Sequence, residues 1–354
     1  MGAIFTFFAR WGQFLSVLGI SLGLFLAAVA AYLGADTLVL PALLALAFPF
    51  WWLGALLAAV WLFYRRHRLL YLPLGLLLIA LPRVNDLYNF YNHNNSKNLS
   101  YSLVSYNLHY FNYLHQQEKM PARKNLDTIL TQLVNFNSPI LCLQEFSGQN
   151  AQLSKVANQF MSARYPHQHQ GGGSSLAIFS RFPILSTGKL DFPQSHNGVI
   201  WADIQLVTKT VRVYNMHLQS VGLGADAEHV FDNQKNQNMP KYKRIGSKLS
   251  RAFALRAAQS RLLLAELKKC PYPIILAGDM NDTPASYAYA QISSLLYDSF
   301  SKGEAGFGAT YNGNLPFLRI DYVFFSSHFQ QFNQKVLPLR FSDHYPVRVD
   351  FNFK

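Results

Sequence analysis

The stretch YPIILAGDMND at residues 272–282 decides the fold of this chain. Its apolar run predicts a buried β-strand, and carboxylate and amide side chains follow at the end of that strand. Four further apolar runs carry polar side chains in a similar manner, namely SLVSYNLH, PILCLQE, VRVYNMHL and RIDYVFFS, and FSDHYPV forms a sixth cluster. The series predicts several strands that deliver Glu, Asp, Asn and His side chains to one rim of a sheet.

The polar residues of these clusters are of the types that bind hard cations and transfer protons. They are Asn107, Glu145, Asn215, His217, Asp279, Asn281, Asp321, Asp343 and His344. Taken singly, each has an ordinary structural explanation. Glu145 would be a solvated charge at a strand end, and Asp279 with Asn281 would form an Asx-turn. Their recurrence in six clusters favours a functional site.

The first quarter of the chain has the composition of a membrane region. Residues 11–35 and 37–64 contain no charged side chain, and at about 1.5 Å per residue each run can cross a hydrocarbon core of roughly 30 Å. Residues 69–81 reach only about 20 Å, so they either span with local thinning of the bilayer or form a re-entrant or interfacial segment. We predict a transmembrane region of two to three helices over residues 1–82. The alternative for the first run, a cleaved signal peptide, is disfavoured by the second run that follows at once.

Basic residues near the apolar runs predict the topology. The densest cluster, Arg65-Arg66-His67-Arg68, is expected on the cytoplasmic side, and Arg10 precedes the first run, whereas the turn between the runs carries only Asp36. If residues 69–81 span, the rest of the chain lies outside the cytoplasm, which we favour. If they do not span, the large domain is cytoplasmic.

The net charge indicates which classes of partner suit the chain but does not select one, and the cysteine content bears on disulfide formation. The net charge is +13, and residues 98–354 carry about +9 of it. This excess suits a polyanion or anionic lipid headgroups. The two cysteines, Cys142 and Cys270, are expected to be free thiols, with a disulfide as the alternative in an oxidising compartment. No Cys/His spacing typical of zinc is present.

Residues 83–100 are Asn- and Tyr-rich and lack apolar periodicity, which predicts a linker. Beyond them, strands outnumber helices and hairpins are frequent, so we predict an α+β sandwich of two packed β-sheets flanked by helices. The predicted helices cover 121–136, 149–164, 250–269 and 285–296, and the main predicted strands cover 101–107, 140–144, 200–207, 210–217, 273–278, 319–325 and 345–352. The polar stretch 221–247 is either a substrate-facing loop or a disordered insertion.

The clusters resemble the motifs of the endonuclease/exonuclease/phosphatase superfamily, which includes DNase I-like nucleases, abasic-site endonucleases, sphingomyelinases and inositol polyphosphate phosphatases. The most specific matches are LQE at 143–145, GDMNDTP at 278–284, RIDYVFF at 319–325 and SDHYPV at 342–347. SSLAIFSRFPI and Arg256-x-x-Gln259 match more weakly. The resemblance implies a four-layer DNase I-like catalytic domain over residues 101–354 and hydrolysis of phosphoester bonds with Mg²⁺, or alternatively Mn²⁺.

The resemblance also implies a metal site and a histidine–carboxylate pair. Glu145 is the expected main metal ligand, with Asn107 and Asp343 completing the metal environment. His344 is the expected general base or transition-state stabiliser, and Asp321 holds its imidazole in the required tautomer.

By the same resemblance, Asp279 orients or deprotonates the attacking water, Asn281 binds a nonbridging phosphate oxygen, and His217 donates a hydrogen bond to the phosphate. Arg256 is expected to contact anionic substrate. One departure concerns His217. DNase I-like members support this histidine with an acidic residue that lies before the S-R-x-P segment, and residues 148–179 contain neither Asp nor Glu. The departure favours a role for His217 in stabilising phosphate.

The leading hypothesis is a membrane-tethered, metal-dependent phosphoesterase that hydrolyses phosphodiester or phosphomonoester bonds by in-line attack of water. A nuclease-type substrate is favoured by the basic surface and by the Lys/Arg-bearing stretch 235–256. A phospholipid or sphingolipid headgroup is the alternative, because a bilayer anchor raises its effective concentration. A non-catalytic, ligand-binding membrane protein is a remote alternative, since the metal and base residues are all present. The expected partners are the phosphoester substrate and the lipid bilayer, and no obligate protein partner is indicated.

Overall fold

The chain divides into two compact units. The computed structural model describes residues 2–92, 101–147, 150–171, 175–221, 240–313 and 317–354. The first unit, called the helical unit below, comprises Met1–Leu87, Val221–Ala258 and Thr283–Ala290. The second, called the catalytic unit, comprises Tyr88–Ser220, Gln259–Asp282 and Gln291–Lys354.

Four helices begin the helical unit: α1 (Gly2–Val29), α2 (Val39–Ala45), α3 (Phe48–Tyr64) and α4 (Tyr71–Leu87). Helix α1 packs against the other three. Their shared apolar core is rich in small side chains, including Ala27, Ala30, Ala55, Ala59 and Ala80. Small residues at helix contacts allow close backbone approach, a feature of helices that associate in membranes.

Within the part of the chain that the structure describes, two helices are long and apolar enough to cross a membrane, namely Trp11–Val29 and Arg68–Leu87. The second exceeds the predicted run 69–81 because the helix continues through Pro82 to Leu87. The predicted run 37–64 instead forms the pair α2 and α3, which is bent by 76° and counts as a third span only if the pair is taken as one. Pro49 is the second residue of α3. It suits the first turn of a new helix and not the continuation of α2, because proline lacks the backbone donor that a helix interior needs.

The remaining elements are strands, several of them consecutive, with helices between some of them. In chain order they are β1 (Tyr101–Asn107), α5 (Tyr113–Glu118), α6 (Ala122–Asn135), β2 (Ile140–Gln144), α7 (Ala151–Ser162), β3 (His167–Gly171), β4 (Leu176–Ser180), β5 (Ile184–Asp191), β6 (Gly198–Gln205), β7 (Thr210–His217), α8 (Lys241–Leu267), β8 (Ile274–Asp279), α9 (Tyr287–Ser293), β9 (Tyr297–Asp298), β10 (Asp321–Phe325), β11 (Phe329–Val336) and β12 (Val347–Phe353).

The strands form two six-stranded sheets, ordered β11-β12-β1-β2-β4-β3 and β5-β6-β7-β8-β10-β9. One apolar core contains side chains from both sheets, for example Ile178 of the first and Val213 of the second. A second core covers the outer face of the first sheet with α6 and α7, through residues such as Leu130 and Met161. The predicted sandwich of two sheets flanked by helices is confirmed.

Helices α6 and α7 form for local reasons that the sequence shows. In α6 the buried residues Leu126, Ile129, Leu130 and Leu133 recur at the spacing of one helix face. Helix α7 begins after Asn150, whose side-chain oxygen accepts hydrogen bonds from the backbone N–H groups of the second and third helical residues. This cap satisfies donors that the first turn of a helix leaves unpaired.

Strand directions bring the polar clusters to one rim. Strands β1 and β2 are parallel, as are β7 and β8, so both pairs deliver their carboxyl ends to the same edge of their sheets. Strand β10 is antiparallel to β8 and pairs Asp321 with Asp279. Asp321 is therefore the first residue of its strand. The sequence pattern had grouped it with polar residues that lie at the ends of their strands. An antiparallel strand presents its start where parallel neighbours present their ends.

Several boundaries differ from the predicted ones. Helix α8 begins at Lys241, nine residues before the predicted start, and most of the polar stretch 221–247 that precedes it, residues 222–239, lies outside the described residues. The predicted linker 83–100 is helical up to Leu87, and residues 93–100 also lie outside the description. Strands β3 and β11 were missed because both are edge strands with polar side chains and no clear alternation.

Candidate active site

The carboxyl ends of β1, β2, β7 and β8 place four of the predicted residues together. The amide Nδ2 of Asn107 lies 3.0 Å from Oδ2 of Asp279 and 3.4 Å from Oε1 of Glu145. The Nε2 atom of His217 lies 3.6 Å from Asp279 and 3.9 Å from Glu145. Asp279 is thus the centre of the cluster.

A close approach between β7 and β8 makes this arrangement possible. Gly278 has a φ of +134°, and a Cβ atom there would lie 2.0 Å from the carbonyl oxygen of Met216. Only glycine fits, and the approach sets Asp279 directly beside His217 in the strand register. Gly278 therefore has a packing role at this contact between strands.

Glu145 and Asn281 both have left-handed backbone conformations, with φ of 53° and 56°. Such conformations are uncommon for residues other than glycine and cluster at functional sites, where the surrounding structure holds them. The turn at Asn281 is held by its backbone N–H, which donates to Oδ1 of Asp279 at 2.7 Å. The side-chain Nδ2 of Asn281 donates to the carbonyl of Leu218 at 3.0 Å.

Asn107 presents its amide nitrogen, not its oxygen, to the carboxylates. The backbone N–H of His109 donates to Oδ1 of Asn107 at 3.1 Å. A backbone N–H is unambiguously a donor, so this bond fixes which way the amide points. In this geometry Asn107 donates hydrogen bonds to Glu145 and Asp279, and its predicted contribution to a metal environment stays a prediction.

The other side of the rim carries a histidine–carboxylate pair. The Nδ1 atom of His344 lies 2.9 Å from Oδ2 of Asp321, and Nε2 lies 3.8 Å from Oδ2 of Asp279. The side-chain oxygen of Thr310 accepts the backbone N–H of Asp321 at 3.0 Å. The ring of Tyr311 packs edge-on against the imidazole, with 5.4 Å between the ring centroids.

Glu145 and His344 therefore open onto the same site. The contacts from Glu145 through Asn107 and Asp279 to His344 are each shorter than 4 Å. This convergence is what a metal-binding carboxylate and a catalytic imidazole require if they are to act on one phosphoester bond.

One ring nitrogen of His217 has no partner in the described ranges of the chain. Its side chain is 4 % exposed, and among the described residues Nδ1 has no hydrogen-bond partner. The absence agrees with the lack of an acidic residue in the interval 148–179 of the sequence. Its Nε2 atom faces the carboxylates of Asp279 and Glu145. A neutral imidazole would therefore carry its proton on Nε2, where carboxylate oxygens can accept it.

Burial shifts the acid–base properties of this cluster. Burial raises the pKa of Asp279 to about 6 and raises the pKa of Glu145. Burial also lowers the pKa of His217. Burial acts to lower the pKa of His344 too, but the carboxylates of Asp321 and Asp279 outweigh it, so that pKa lies well above its ordinary value.

Asp343 is paired with His109, a residue that the sequence reasoning missed. The Nδ1 atom of His109 lies 3.0 Å from Oδ1 of Asp343, and its Nε2 atom lies 3.3 Å from Oε1 of Gln116. Burial disfavours the charged form of both groups, but their hydrogen bond and the opposite charges nearby together outweigh it. The pKa of Asp343 therefore falls to about 2 and that of His109 rises to about 9. His109 stands two residues after Asn107 in the cluster SLVSYNLH, and that position was the available signal.

The donor set fits a hard divalent cation. The ligand atoms of Asp279, Asp321 and His344 lie within 4.8 Å of one another, and Glu145 joins Asp279 through Asn107. The Oδ1 atom of Asp321 is buried and has no hydrogen-bond partner among the described residues. A buried carboxylate oxygen without a donor or cation is costly, and several carboxylate oxygens in one place are the donors that Mg²⁺ and Mn²⁺ prefer.

Arg256 belongs to the helical unit and not to the unit that carries the site. Its side chain is 1 % exposed, and its guanidinium lies 4.6 Å from the ring centroid of Phe253. Contact with anionic substrate stays a prediction for this residue.

Comparison with known proteins identifies the family. The sequence profile of the Endonuclease/Exonuclease/phosphatase family matches residues 104–344, more than half of the chain. The chain belongs to this family, a class of hydrolases that act on phosphoester bonds. The predicted family and fold are confirmed. No curated protein sequence matches the chain significantly.

Solved structures share the fold at low sequence identity. An endonuclease/exonuclease/phosphatase family protein of Bacteroides thetaiotaomicron is 18% identical, with a TM-score of 0.52 over 72% of this chain and 98% of that one. A mannosyl-6-phosphatase of the same species is 19% identical, with a TM-score of 0.52 over 72% of this chain and all of that one. Sphingomyelinase C of Streptomyces griseocarneus is 16% identical, with a TM-score of 0.51 over 72% of this chain and all of that one. These likenesses establish the architecture and leave the substrate open.

Proposed function

We propose that this protein is a membrane-tethered, Mg²⁺-dependent phosphoesterase that hydrolyses its substrate by in-line attack of water. The observation that carries the proposal is the convergence of Glu145, Asp279 and His344 through contacts shorter than 4 Å. A divalent cation bound there would neutralise charge on the phosphoryl oxygens. Mn²⁺ is the alternative ion, since it accepts the same oxygen donors.

In this proposal Glu145 is the main cation ligand, with Asp343 and Asn107 beside it. Each has a support in the chain: Asn107 donates to Glu145, and His109 holds both the carboxylate of Asp343 and, through its backbone N–H, the amide of Asn107. Groups held in this way keep their orientation when a substrate enters, which is what preorganised catalysis needs.

Asp279 is the group that would orient or deprotonate the attacking water. Its Oδ2 atom faces Nε2 of both His217 and His344. Asp321 holds the far nitrogen of His344, so that Nε2 points into the cluster as general base or transition-state stabiliser. Asn281 donates only one of the two N–H bonds of its amide within the described residues, and the second suits a nonbridging phosphate oxygen.

The metal-binding role is tested by Glu145→Ala in the full-length protein in detergent, with Glu118→Ala as the matched control because Glu118 is exposed on α5. Hydrolysis of the soluble diester bis(p-nitrophenyl) phosphate is measured with Mg²⁺ and after chelation. Wild type and the control should lose activity on chelation, and Glu145→Ala should lose at least about 10³-fold even with Mg²⁺. Full activity of Glu145→Ala, or indifference of wild type to chelator, would show that the mechanism is wrong.

We also propose that the catalytic unit lies outside the cytoplasm. The helix Arg68–Leu87 is long and apolar enough to span, and the cluster Arg65-Arg66-His67-Arg68 precedes it on the side expected to be cytoplasmic. Protease digestion of intact cells and of lysed cells tests this topology. Loss of a C-terminal tag only after lysis would contradict it.

Two substrate classes suit the proposed chemistry, and one structural observation bears on the choice. The stretch 235–256 favoured nucleic acid at the level of sequence. Its described part, from Lys241, belongs to the unit that contains the candidate spans. Basic residues in such a region are typical of binding to anionic lipid headgroups. This supports a lipid-borne phosphoester over nucleic acid.

A further inference from the structure

An exposed aromatic cluster lies at the start of the catalytic unit. The ring of Tyr88 is 4.9 Å from the ring of Phe90 and 4.9 Å from that of Phe307, measured between centroids. Phe90, Tyr91 and Phe307 are 58 %, 71 % and 51 % exposed. Phe90 and Phe307 are exposed and each contacts the half-buried ring of Tyr88, and the exposed Tyr91 follows Phe90 in the chain. A group of exposed aromatic side chains marks a site of interaction. We call these four residues the aromatic patch.

The patch is held firmly to the catalytic unit. Asn89, between two of its rings, is buried and exchanges two backbone hydrogen bonds of 2.9 Å with Gly306. Its side-chain Nδ2 lies 3.1 to 3.3 Å from the carbonyl oxygens of Phe300, Gly303 and Glu304. These hydrogen bonds fix the Tyr88–Asn92 segment, predicted as part of a linker, to the part of the chain that carries Phe307.

Chain continuity indicates what covers these rings. Tyr88 directly follows Leu87, the last residue of a helix long and apolar enough to span a membrane, so their Cα atoms are about 3.8 Å apart. A chain that leaves the hydrocarbon core passes next through the headgroup layer, where tyrosine and other aromatic side chains concentrate in membrane proteins. The occupant that this position indicates is a lipid interface.

The same short segment connects the patch to the site. Tyr311 follows Phe307 by four residues, which limits their Cα separation to about 15 Å. Tyr311 pairs with His344 across an isolated β-bridge, and its neighbour Thr310 holds the backbone of Asp321. An aromatic patch in the headgroup layer would therefore keep Tyr311, the bridge partner of His344, within about 15 Å of that layer.

We propose that Tyr88, Phe90, Tyr91 and Phe307 form an interfacial patch that lies in the headgroup layer of the bilayer and presents a lipid-borne phosphoester to the candidate active site. This inference rests on the proposed function and names its substrate class. The cation and the acid–base groups keep the roles given under the proposed function. The patch raises the local concentration of the substrate and orients it.

The test uses the full-length protein in nanodiscs of phosphatidylcholine, phosphatidylglycerol and sphingomyelin. The double variant Phe90→Ser/Phe307→Ser is compared with wild type and with Leu185→Ser, a control whose side chain is 59 % exposed on the edge strand β5. Each protein is assayed with Mg²⁺ on nanodisc lipid, on bis(p-nitrophenyl) phosphate and on single-stranded DNA. Phe307→Trp, which keeps an interfacial aromatic, is assayed in parallel.

Wild type should release the headgroup or phosphate of at least one lipid. The double variant should hydrolyse lipid at least about tenfold more slowly, because it removes two rings from the interface and the apolar burial of a single ring contributes roughly a factor of ten. Its rate on the soluble diester should be unchanged, and Leu185→Ser and Phe307→Trp should behave as wild type on both substrates.

Three results would overturn the inference. Wild type that cleaves the diester or DNA but no lipid would leave the proposed function intact and remove the lipid substrate. A double variant that hydrolyses lipid as fast as wild type would show that the patch has no interfacial role. The same conclusion would follow if its rates on lipid and on the diester fell by the same factor. Wild type with no Mg²⁺-dependent hydrolysis of any substrate would remove the proposed function as well.

Discussion

Two ends of the rim hold a histidine against the same carboxylate, yet they give it opposite properties. At one end, Nε2 of His344 lies 3.8 Å from Asp279, and at the other, Nε2 of His217 lies 3.6 Å from the same oxygen. The pKa of His344 is raised well above its ordinary value, whereas that of His217 is lowered. Distance to the shared carboxylate therefore does not explain the difference.

The difference lies on the far side of each ring. Asp321 accepts from Nδ1 of His344 at 2.9 Å, but Nδ1 of His217 has no hydrogen-bond partner among the described residues. A buried imidazolium is stable only where a second carboxylate compensates its desolvation. His344 is thus suited to carry positive charge and move a proton, and His217 is suited to act as a neutral hydrogen-bond donor.

The largest expected effect separates the two histidines directly. His344→Ala should lower kcat for bis(p-nitrophenyl) phosphate by about 10³- to 10⁴-fold, and His217→Ala by about 10²-fold, since proton transfer is lost in the first case and one hydrogen bond in the second. Steady-state kinetics with saturating Mg²⁺ measure both, and unchanged thermal midpoints serve as the folding control. Equal losses in the two variants would break the comparison.

Removing the partner of His344 should have the next largest effect. Asp321→Asn should lower kcat by about 10²-fold, because the amide cannot stabilise an imidazolium as a carboxylate does. It should also lower the pKa of His344. If the protonated form is the active one, the basic limb of the pH–rate profile moves to lower pH, and an acidic limb that moves instead identifies His344 as general base. A profile whose limbs stay in place would separate His344 from the pH dependence altogether.

The smallest effect concerns the shared carboxylate and appears in stability. Burial raises the pKa of Asp279 to about 6 from 3.8, so its ionisation opposes folding: the cost is absent below pH 3.8, grows as the pH rises to 6, and is complete above. Asp279→Asn removes this unfavourable ionisation. In metal-free protein at pH 7.5 it should raise the thermal midpoint by about 2 to 4 °C for each kcal/mol by which the free energy of unfolding increases. At pH 4.5 the gain should be smaller.

Calorimetry with chelator present measures this pH dependence, and Asp127→Asn, at an exposed position on α6, provides the control. A gain that is larger at pH 4.5 than at pH 7.5 would contradict the sign of the shift. Mg²⁺ should reduce the difference in thermal midpoint between Asp279→Asn and wild type, because a bound cation stabilises the ionised carboxylate of the wild type.

Much of the catalytic unit was predictable because its buried strands have strong local signals. The run that forms β2 is apolar up to Gln144 and is buried at every position. The apolar spacing of α6 predicted the ends of that helix to within one residue. Edge strand β3, with the sequence HQHQG, has no such signal, since none of its side chains is fully buried and the strand needs no apolar residues.

The candidate site was predictable in its residue types and less so in its partnerships. Asn107, Glu145 and Asp279 follow buried strands, so a pattern search finds them. His109 was missed because its role depends on Asp343, which is 234 positions further along the chain. The break between α2 and α3 was missed because Pro49 lies in a run without charge, and the run was read by its hydropathy alone.

The amino-acid sequence by itself determined the family, the two-sheet architecture and the set of polar residues at the rim, because burial periodicity and strand-end chemistry are local properties. Only the tertiary structure decided that Asn107 turns its amide nitrogen to the carboxylates and that Phe90 and Tyr91 are exposed. It also decided that Nδ1 of His344 has a carboxylate partner, whereas Nδ1 of His217 has no hydrogen-bond partner among the described residues. These depend on which distant segments meet. Hydrogen bonding, desolvation and exposure are set by that meeting and leave no periodic trace in the chain.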